Sequence, residues 1–381
     1  MSANPLETLV VHPGALGDVL QAVPALGALA RLGHRLTFAG QPRLGELLQG
    51  SGLVLAATPF DTFGFDALFA DDAPPAQLVS RLERFKRVVS WFGSREDTYR
   101  EQLGALVRDS IVARPVPEDD SPLTVWEHLV ETLTPWGVTQ PVELHQLPTA
   151  EPWRVAARTA LMAAGADPER PLLVAHPGAG ARWKQAPAER LARALERMAA
   201  DGGFSVVLHQ GPADGAAVDA LADELKTPAV RLVEPPLTEL AGALALAKAY
   251  IGSDSGVSHL AASVGTPSVI LYPPETLRRW APWSPAAVPL GVGAEGDPSW
   301  PSSASSTRHD PGGGANRLDR ARCVAFSPGR SPASSSSRGP SGSSSSSSAA
   351  FAPSTSLVPA SRCSARRAFP KPTATTTWLA R

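Results

Sequence analysis

The chain has 381 residues, of which 43 % are apolar and 19 % charged, and its formal net charge is −1. At about 150 residues per domain, this length predicts two domains with apolar cores. The near-zero charge argues against a protein that coats nucleic acid. No apolar stretch approaches the ~20 residues of a membrane span, and residues 1–8 lack the basic and apolar parts of a signal peptide. We therefore expect a cytoplasmic protein, with at most peripheral contact at the inner face of the membrane.

The composition changes abruptly towards the C-terminus. Residues 1–298 carry 24 Lys and Arg against 34 Asp and Glu, a balance of about −10, whereas residues 299–381 carry 11 against two. Residues 294–381 are rich in serine, arginine and proline without helical or strand periodicity, which predicts a disordered low-complexity tail. Three interpretations stay open: a flexible appendage, a segment that contacts nucleic acid or an anionic membrane, and the product of a shifted reading frame. Both cysteines lie in this tail, so the body has no disulfide and no cysteine-based zinc site.

The first half alternates short apolar segments with amphipathic ones. Its strands are predicted at residues 8–11, 35–39, 53–56 and 85–91, and its helices at 18–31, around 44–48 and at 124–133. A proline-rich connection with one helix at about 152–164 follows. The start of this half is therefore a βαβ unit.

The second half restarts the same alternation. Its strands are predicted at residues 172–175, 204–208, 230–233, 249–251 and 268–272, and its helices at 187–200, 215–225, 237–248 and 257–264. This pattern predicts an α/β fold with two facing Rossmann-like domains, residues 1–150 and 151–293, each built on a doubly wound parallel sheet. Because ligands bind outside the carboxyl ends of such strands, the cleft between the sheets is the expected site.

Two glycine-containing loops follow predicted strands, one in each half. The first, Gly14-Ala-Leu-Gly17-Asp18, permits a tight turn and puts Asp18 at the N-cap of the next helix, where an aspartate is most often only a cap. The second runs His176-Pro-Gly178-Ala-Gly180-Ala-Arg-Trp-Lys184. Its backbone N–H groups and the lysine are typical of an anion site, although it is not a Walker A sequence. A solvated loop is the alternative.

A third loop carries the densest polar cluster, Gly252-Ser-Asp254-Ser255-Gly256-Val-Ser-His259. It follows a strand and opens a helix, so consecutive N–H groups point towards a ligand, and the i, i+4 spacing brings His259 back towards Ser255. Two anion loops in one half indicate a diphosphate and hence a nucleotide. Two facing Rossmann-like halves with a nucleotide in the second are typical of a GT-B glycosyltransferase.

Residues 9–282 resemble glycosyltransferase family 9, the heptosyltransferases that build the lipopolysaccharide inner core from ADP-heptose. The resemblance is carried by Gly14-x-x-Gly17-Asp18 with Pro24-Ala-Leu, by His176-Pro-Gly-x-Gly with Lys184 and Pro187, and most specifically by Gly252-x-Asp254-Ser255-Gly256-x-x-His259-Leu-Ala-Ala with Gly265-Thr-Pro267 and Trp280-Ala-Pro282. The sequence departs from the family after Pro282, because the family's final helix has no counterpart in the serine-rich tail.

The resemblance implies an inverting transfer of a heptose-like sugar from a nucleotide diphosphate donor to a glycan or glycolipid acceptor. It assigns Asp18 as general base on an acceptor-side loop with Gly14 and Gly17, and it assigns donor diphosphate and sugar binding to Gly178, Gly180, Lys184, Asp254, Ser255, Gly256 and His259. Residues 1–150 would then be the acceptor side and residues 151–293 the nucleotide-sugar side. The resemblance further implies no metal or other cofactor, no nucleic-acid partner and a monomer.

Three other functions are compatible with a two-domain α/β fold, and each would require particular residues in the sequence. A sugar-nucleotide epimerase of the same fold would need further acid/base carboxylates in the cleft, which the sequence does not place. A dinucleotide-dependent oxidoreductase is disfavoured, because the first loop is not Gly-x-Gly-x-x-Gly and Ala39-Gly40 stands where an acidic residue would end the second strand. A non-catalytic nucleotide-sugar binder stays open.

Overall fold

The computed structural model of the protein describes residues 6–292, apart from the side chain of Asp201. The predicted low-complexity tail, residues 294–381, lies outside the described residues. Within them, two parallel sheets with helices confirm the predicted α/β fold class.

The first sheet has five strands in the order β3-β2-β1-β4-β5, counted over the described part of the chain. The strands are β1 (Leu6–Val11), β2 (His34–Gly40), β3 (Ala56–Pro59), β4 (Arg87–Ser90) and β5 (Ser110–Val112). The helices are α1 (Leu16–Gln21), α2 (Val23–Arg31), α3 (Pro42–Gly50), α4 (Ala76–Leu82), α5 (Asp97–Leu106) and α6 (Val125–Glu131), with 3₁₀ turns at Phe60–Thr62, Phe65–Phe69 and Thr134–Trp136.

The second sheet has six strands in the order β11-β10-β9-β6-β7-β8, again over residues 6–292. The strands are β6 (Leu172–His176), β7 (Ser205–Gln210), β8 (Ala229–Val233), β9 (Ala249–Ser253), β10 (Ser268–Tyr272) and β11 (Ala287–Gly291). The helices are α7 (Glu151–Ala163), α8 (Ala188–Gly202), α9 (Gly215–Glu224), α10 (Leu237–Leu246), α11 (Gly256–Ser263) and α12 (Pro274–Trp280), with a 3₁₀ turn at Arg182–Lys184.

The strand orders place the three predicted loops at the topological switch points. In the first sheet the order reverses between β1 and β4, and in the second between β6 and β9. The loops follow β1, β6 and β9, so each begins at a carboxyl end beside a switch point. This is where open α/β sheets bind ligands.

A kink between α1 and α2 replaces the single helix predicted for residues 18–31. Pro24 has no N–H to pair with the carbonyl of Leu20 and its ring crowds that carbonyl, so the helix breaks at Ala22. The carbonyl of Leu20 instead accepts the indole N–H of Trp283 at 3.0 Å, from the second half of the chain. The break therefore creates one of the contacts that join the halves.

The two halves pack closely along α1 and α11. One apolar cluster includes Val10 and Leu20 from the first half and Leu260 and Trp283 from the second. A Cβ atom at Gly256 would lie 2.9 Å from the Cβ of Leu16, which leaves no room for a side chain at this crossing. The first and third loops consequently face each other.

Replacing Gly256 with Ala should destabilise the protein by about 1–3 kcal/mol, because the added methyl group overpacks the α1–α11 contact. Urea unfolding measures the effect. The matched control is Gly27→Ala in α2, where the new Cβ would meet only the end of Arg31 at 3.5 Å and stability should hold or rise. Equal stability of the Gly256→Ala protein and its parent would mean that the crossing is not close-packed.

Candidate active site

The first loop holds Asp18 by a backbone hydrogen bond. The sequence placed Asp18 at the N-cap, but Ala15 is the N-cap residue, with extended backbone, and Asp18 is the third residue of α1. Asp18 Oδ2 accepts the N–H of Ala15 at 3.0 Å, as the acidic residue of a capping box does. The prediction was wrong because the helix begins at Leu16, within the glycine pair rather than after it.

Glycine at position 14 is required by the buried His12 ring beneath the loop. A Cβ at Gly14 would lie 2.7 Å from His12 Cε1, and the Gly14 N–H donates to His12 Nδ1 at 3.2 Å. Burial lowers the pKa of His12 to about 4, so the ring is neutral at pH 7 and Nδ1 is free to accept. His12 therefore fixes the turn that carries Asp18.

The second and third loops meet through an ion pair. Lys184 ends the 3₁₀ turn after β6, and its Nζ lies 3.0 Å from Asp254 Oδ2. The Asp254 side chain is 5 % exposed, so this contact lies at the floor of the site rather than on the surface. The Lys184 ammonium also lies 5.6 Å from the ring centre of Trp183 and 5.8 Å from that of Trp280.

The third loop caps α11 and presents its first N–H groups. Ser255 is the N-cap residue, and its Oγ accepts the N–H of Ser258 at 3.3 Å. His259 Nε2 lies 4.0 Å from Asp254 Oδ1. Burial lowers the pKa of His259 to about 4 despite the Asp254 charge, so a neutral imidazole lies between Asp254 and the first loop. A Cβ at Gly17 would approach His259 Cδ2 to 3.3 Å.

Ser253, which was not among the predicted site residues, connects the second loop to the third by hydrogen bonds. Its Oγ accepts the N–H of Ala186 and donates to the carbonyl of Pro177, both at 3.0 Å. Its position inside the Gly252-Ser-Asp254 motif could have marked it as a site residue. Its hydrogen-bond partners could not be predicted, because they lie about 70 residues away in the sequence. Only the adjacency of β6 and β9 brings them together.

The two glycines predicted in the second loop differ in their surroundings. A Cβ at Gly178 would collide with Asp214 Oδ1 at 2.1 Å, so this position has no space for a side chain. Asp214 itself accepts the N–H of Gly211 at 3.0 Å. No atom lies within 4 Å of a Cβ built at Gly180, so the described structure gives no steric reason for glycine there.

Asp18 lies close enough to Lys184 for their charges to interact across the halves. Burial raises the pKa of the Asp18 carboxyl above its ordinary value of 3.8, while the Ala15 hydrogen bond and the Lys184 charge oppose that rise. The structure thus brings Asp18, Lys184, Asp254 and His259 into one cluster, in which Gly17 lies against His259 and Gly256. A half-buried carboxylate within charge range of a held ammonium can remove a proton from a substrate while the ammonium neutralises an anion.

The His, Cys, Asp and Glu side chains of residues 6–292 form no group of three or more placed to hold a metal ion. The helices in the same range include none with both the length and the apolar character needed to cross a membrane.

One family model matches a large part of this chain. The model of glycosyltransferase family 9 (heptosyltransferase) matches residues 100–302. Lipopolysaccharide heptosyltransferase 3 of Escherichia coli is 37 % identical over 86 residues, which is 22 % of this chain and 25 % of that protein. The match thus spans about a quarter of the length of this curated relative.

Two solved structures share the fold at low sequence identity. The glycosyl transferase family 9 protein of Veillonella parvula superposes with a TM-score of 0.62 at 18 % identity, covering 77 % of this chain and 87 % of that one. The ADP-heptose lipopolysaccharide heptosyltransferase II of Escherichia coli gives a TM-score of 0.57 at 21 % identity, covering 75 % and 90 %.

The two doubly wound parallel sheets of this chain match these structures in fold, which is the GT-B class. Because the family model matches more than half of the residues, the chain belongs to glycosyltransferase family 9.

Proposed function

We propose that this protein is an inverting glycosyltransferase that moves a heptose-like sugar from a nucleoside diphosphate to a lipopolysaccharide or other glycan acceptor. The observation that carries the proposal is the placement of Asp18, from the first half, within charge range of the Lys184–Asp254 pair of the second. The names of the family 9 relatives support a heptose donor and a lipopolysaccharide acceptor.

Asp18 is the general base in this proposal. A base must accept the proton of the acceptor hydroxyl as the oxygen attacks the anomeric carbon. The Asp18 carboxylate is held by Ala15 on one oxygen only, which leaves Oδ1 available to the acceptor. Its raised pKa makes it a stronger base than an ordinary aspartate.

Lys184 and the start of α11 stabilise the leaving group. The diphosphate gains negative charge as the bond to the sugar breaks, so donors fixed beforehand at that position lower the barrier. Asp254 and the Ser255 cap hold the ammonium and the N–H groups in place before the donor arrives. With a single base and a single leaving group, the displacement has one step, which inverts the configuration of the anomeric carbon.

The cluster disfavours epimerase chemistry. An epimerase needs additional acid and base groups on the sugar, whereas of the two carboxylates in the cluster one, Asp254, is already paired with Lys184. His259 is neutral and buried.

Release of nucleotide from ADP-, UDP- and GDP-sugars, assayed with and without glycan acceptors, tests the proposed function. We expect release from one nucleotide series only, dependent on an acceptor, with a product anomer opposite to that of the donor. Binding of a nucleotide sugar without turnover would identify a non-catalytic binder. Formation of an isomeric sugar nucleotide without release would identify an epimerase.

A further inference from the structure

A pocket of about 310 Å³ opens beside Lys184, on the side of the second sheet formed by β10 and β11. It is lined by residues 183–187, by residues 271–275 and by Val292. Small-ligand pockets have volumes from about 300 Å³ upwards, so this one has room for a single ring rather than for a whole nucleotide sugar.

Trp183 forms the exposed wall of this pocket. It is 60 % exposed, and within residues 6–292 its indole N–H has no hydrogen-bond partner. Folding gains little from an indole in that position, because most of its apolar surface stays in water. A flat apolar surface directly beside the candidate phosphate site is, however, what a ring of the donor would stack on.

The remaining lining supplies a carboxylate beside the indole. The carbonyls of Pro187 and Pro273 already accept N–H groups from the first turns of α8 and α12. Glu275 is exposed and lines the pocket, and its carboxylate accepts hydrogen bonds when ionised. Sugar hydroxyl groups are donors that this carboxylate can bind.

The position of the pocket also fits the sugar rather than the base. Helix α12 begins at the pocket, and at its other end the carbonyl of Trp280 accepts the side-chain N–H of Gln21 at 3.3 Å. Gln21 ends α1, the helix that carries Asp18. A sugar bound between Lys184 and α12 would therefore lie near the part of the first half that carries the catalytic base. The nucleoside would bind on the opposite side of Lys184, near β7 and β8.

The geometry points to this pocket as the glycosyl subsite of the donor, with Trp183 stacking on the apolar face of the sugar ring and Glu275 accepting from its hydroxyl groups. This inference rests on the proposed function, since it requires a nucleotide-sugar donor held at Lys184. It makes Trp183 and Glu275 the residues that select the sugar.

Calorimetric titration of matched ligand pairs separates sugar binding from nucleotide binding. ADP, UDP and GDP and their non-transferable 2-fluoro sugar derivatives are titrated into the full chain. The nucleotide and sugar derivative that bind best are then titrated into the Trp183→Ala variant. We expect the Kd of the nucleotide sugar to rise about tenfold while the Kd of the free nucleotide changes less than about twofold. Trp183→Phe should restore most of the affinity, and Glu275→Gln should weaken the sugar derivative alone.

The control variant is Met162→Ala, which removes a side chain that is equally exposed, at 59 %, but lies on α7 outside the pocket. It should leave both affinities unchanged. Equal weakening of nucleotide and nucleotide sugar in Trp183→Ala would place the base on the indole and overturn the inference, as would no weakening of either. If the parent binds no pair at all, the proposed function fails and the inference fails with it.

Discussion

Asp18→Asn is expected to reduce kcat by about 10²–10⁴-fold while the Kd of the donor stays within about twofold. The amide cannot take the proton of the acceptor hydroxyl. Its oxygen can still accept the N–H of Ala15, so the first turn of α1 should stay intact. Steady-state kinetics and calorimetry on the same preparations measure both quantities. Asp97→Asn is the matched control, because Asp97 is also an acidic residue in a first helical turn but lies on α5.

The pH profile adds an independent signature of Asp18. The base works only when it is deprotonated, so kcat/KM should rise with pH along an acidic limb. Because burial raises the pKa of Asp18, the midpoint of that limb should lie above 3.8. Asp18→Asn should remove the limb together with the activity. A profile that keeps the limb in Asp18→Asn would assign the proton transfer to another group.

Lys184→Met has the second largest expected effect, a loss of about 10²–10³-fold in kcat with weaker binding of the nucleoside diphosphate. The substitution removes the positive charge that meets the leaving group. It also leaves the buried Asp254 carboxylate without its partner, which destabilises the fold. Activity measured on this variant alone would therefore mix two causes.

A second variant separates these causes. In Lys184→Met/Asp254→Asn the unpaired buried charge is gone, so the midpoint of thermal unfolding should recover towards the parent value while kcat stays low. Lys184→Arg, which keeps the charge, should retain more activity than Lys184→Met. Recovery of kcat together with stability in the double variant would show that Lys184 acts only as a structural partner of Asp254.

The sequence predicted the βα rhythm well because both faces of each central strand are buried. Residues 268–272 were predicted as a strand with the observed bounds. Elements with little apolar periodicity were missed: α5 buries only Tyr99 and Leu103 over its ten residues, and α4 is a seven-residue helix that buries two. The third strand was predicted at 53–56 and lies at Ala56–Pro59, on the edge of the sheet where burial is partial.

The site was predicted as three separate loops, and the contacts between them came only from the structure. Glycine, aspartate and serine after strands indicate turns that bind anions, which is a local property of the sequence. The contacts between the loops depend on which strands become neighbours. Examples are the Lys184 ammonium over the Trp280 ring and the hydrogen bonds of Ser253 to Ala186 and Pro177. The kink at Pro24, which frees the carbonyl of Leu20 for Trp283, likewise has a local cause and a distant partner.

A crystal structure of the protein with a non-transferable 2-fluoro nucleotide sugar tests most directly whether the two halves act on one molecule. We expect diphosphate oxygens within hydrogen-bond distance of Lys184 Nζ and of the first N–H groups of α11, with the anomeric carbon turned towards the Asp18 carboxylate. A diphosphate bound away from these two loops, or an anomeric carbon that faces away from Asp18, would contradict this expectation.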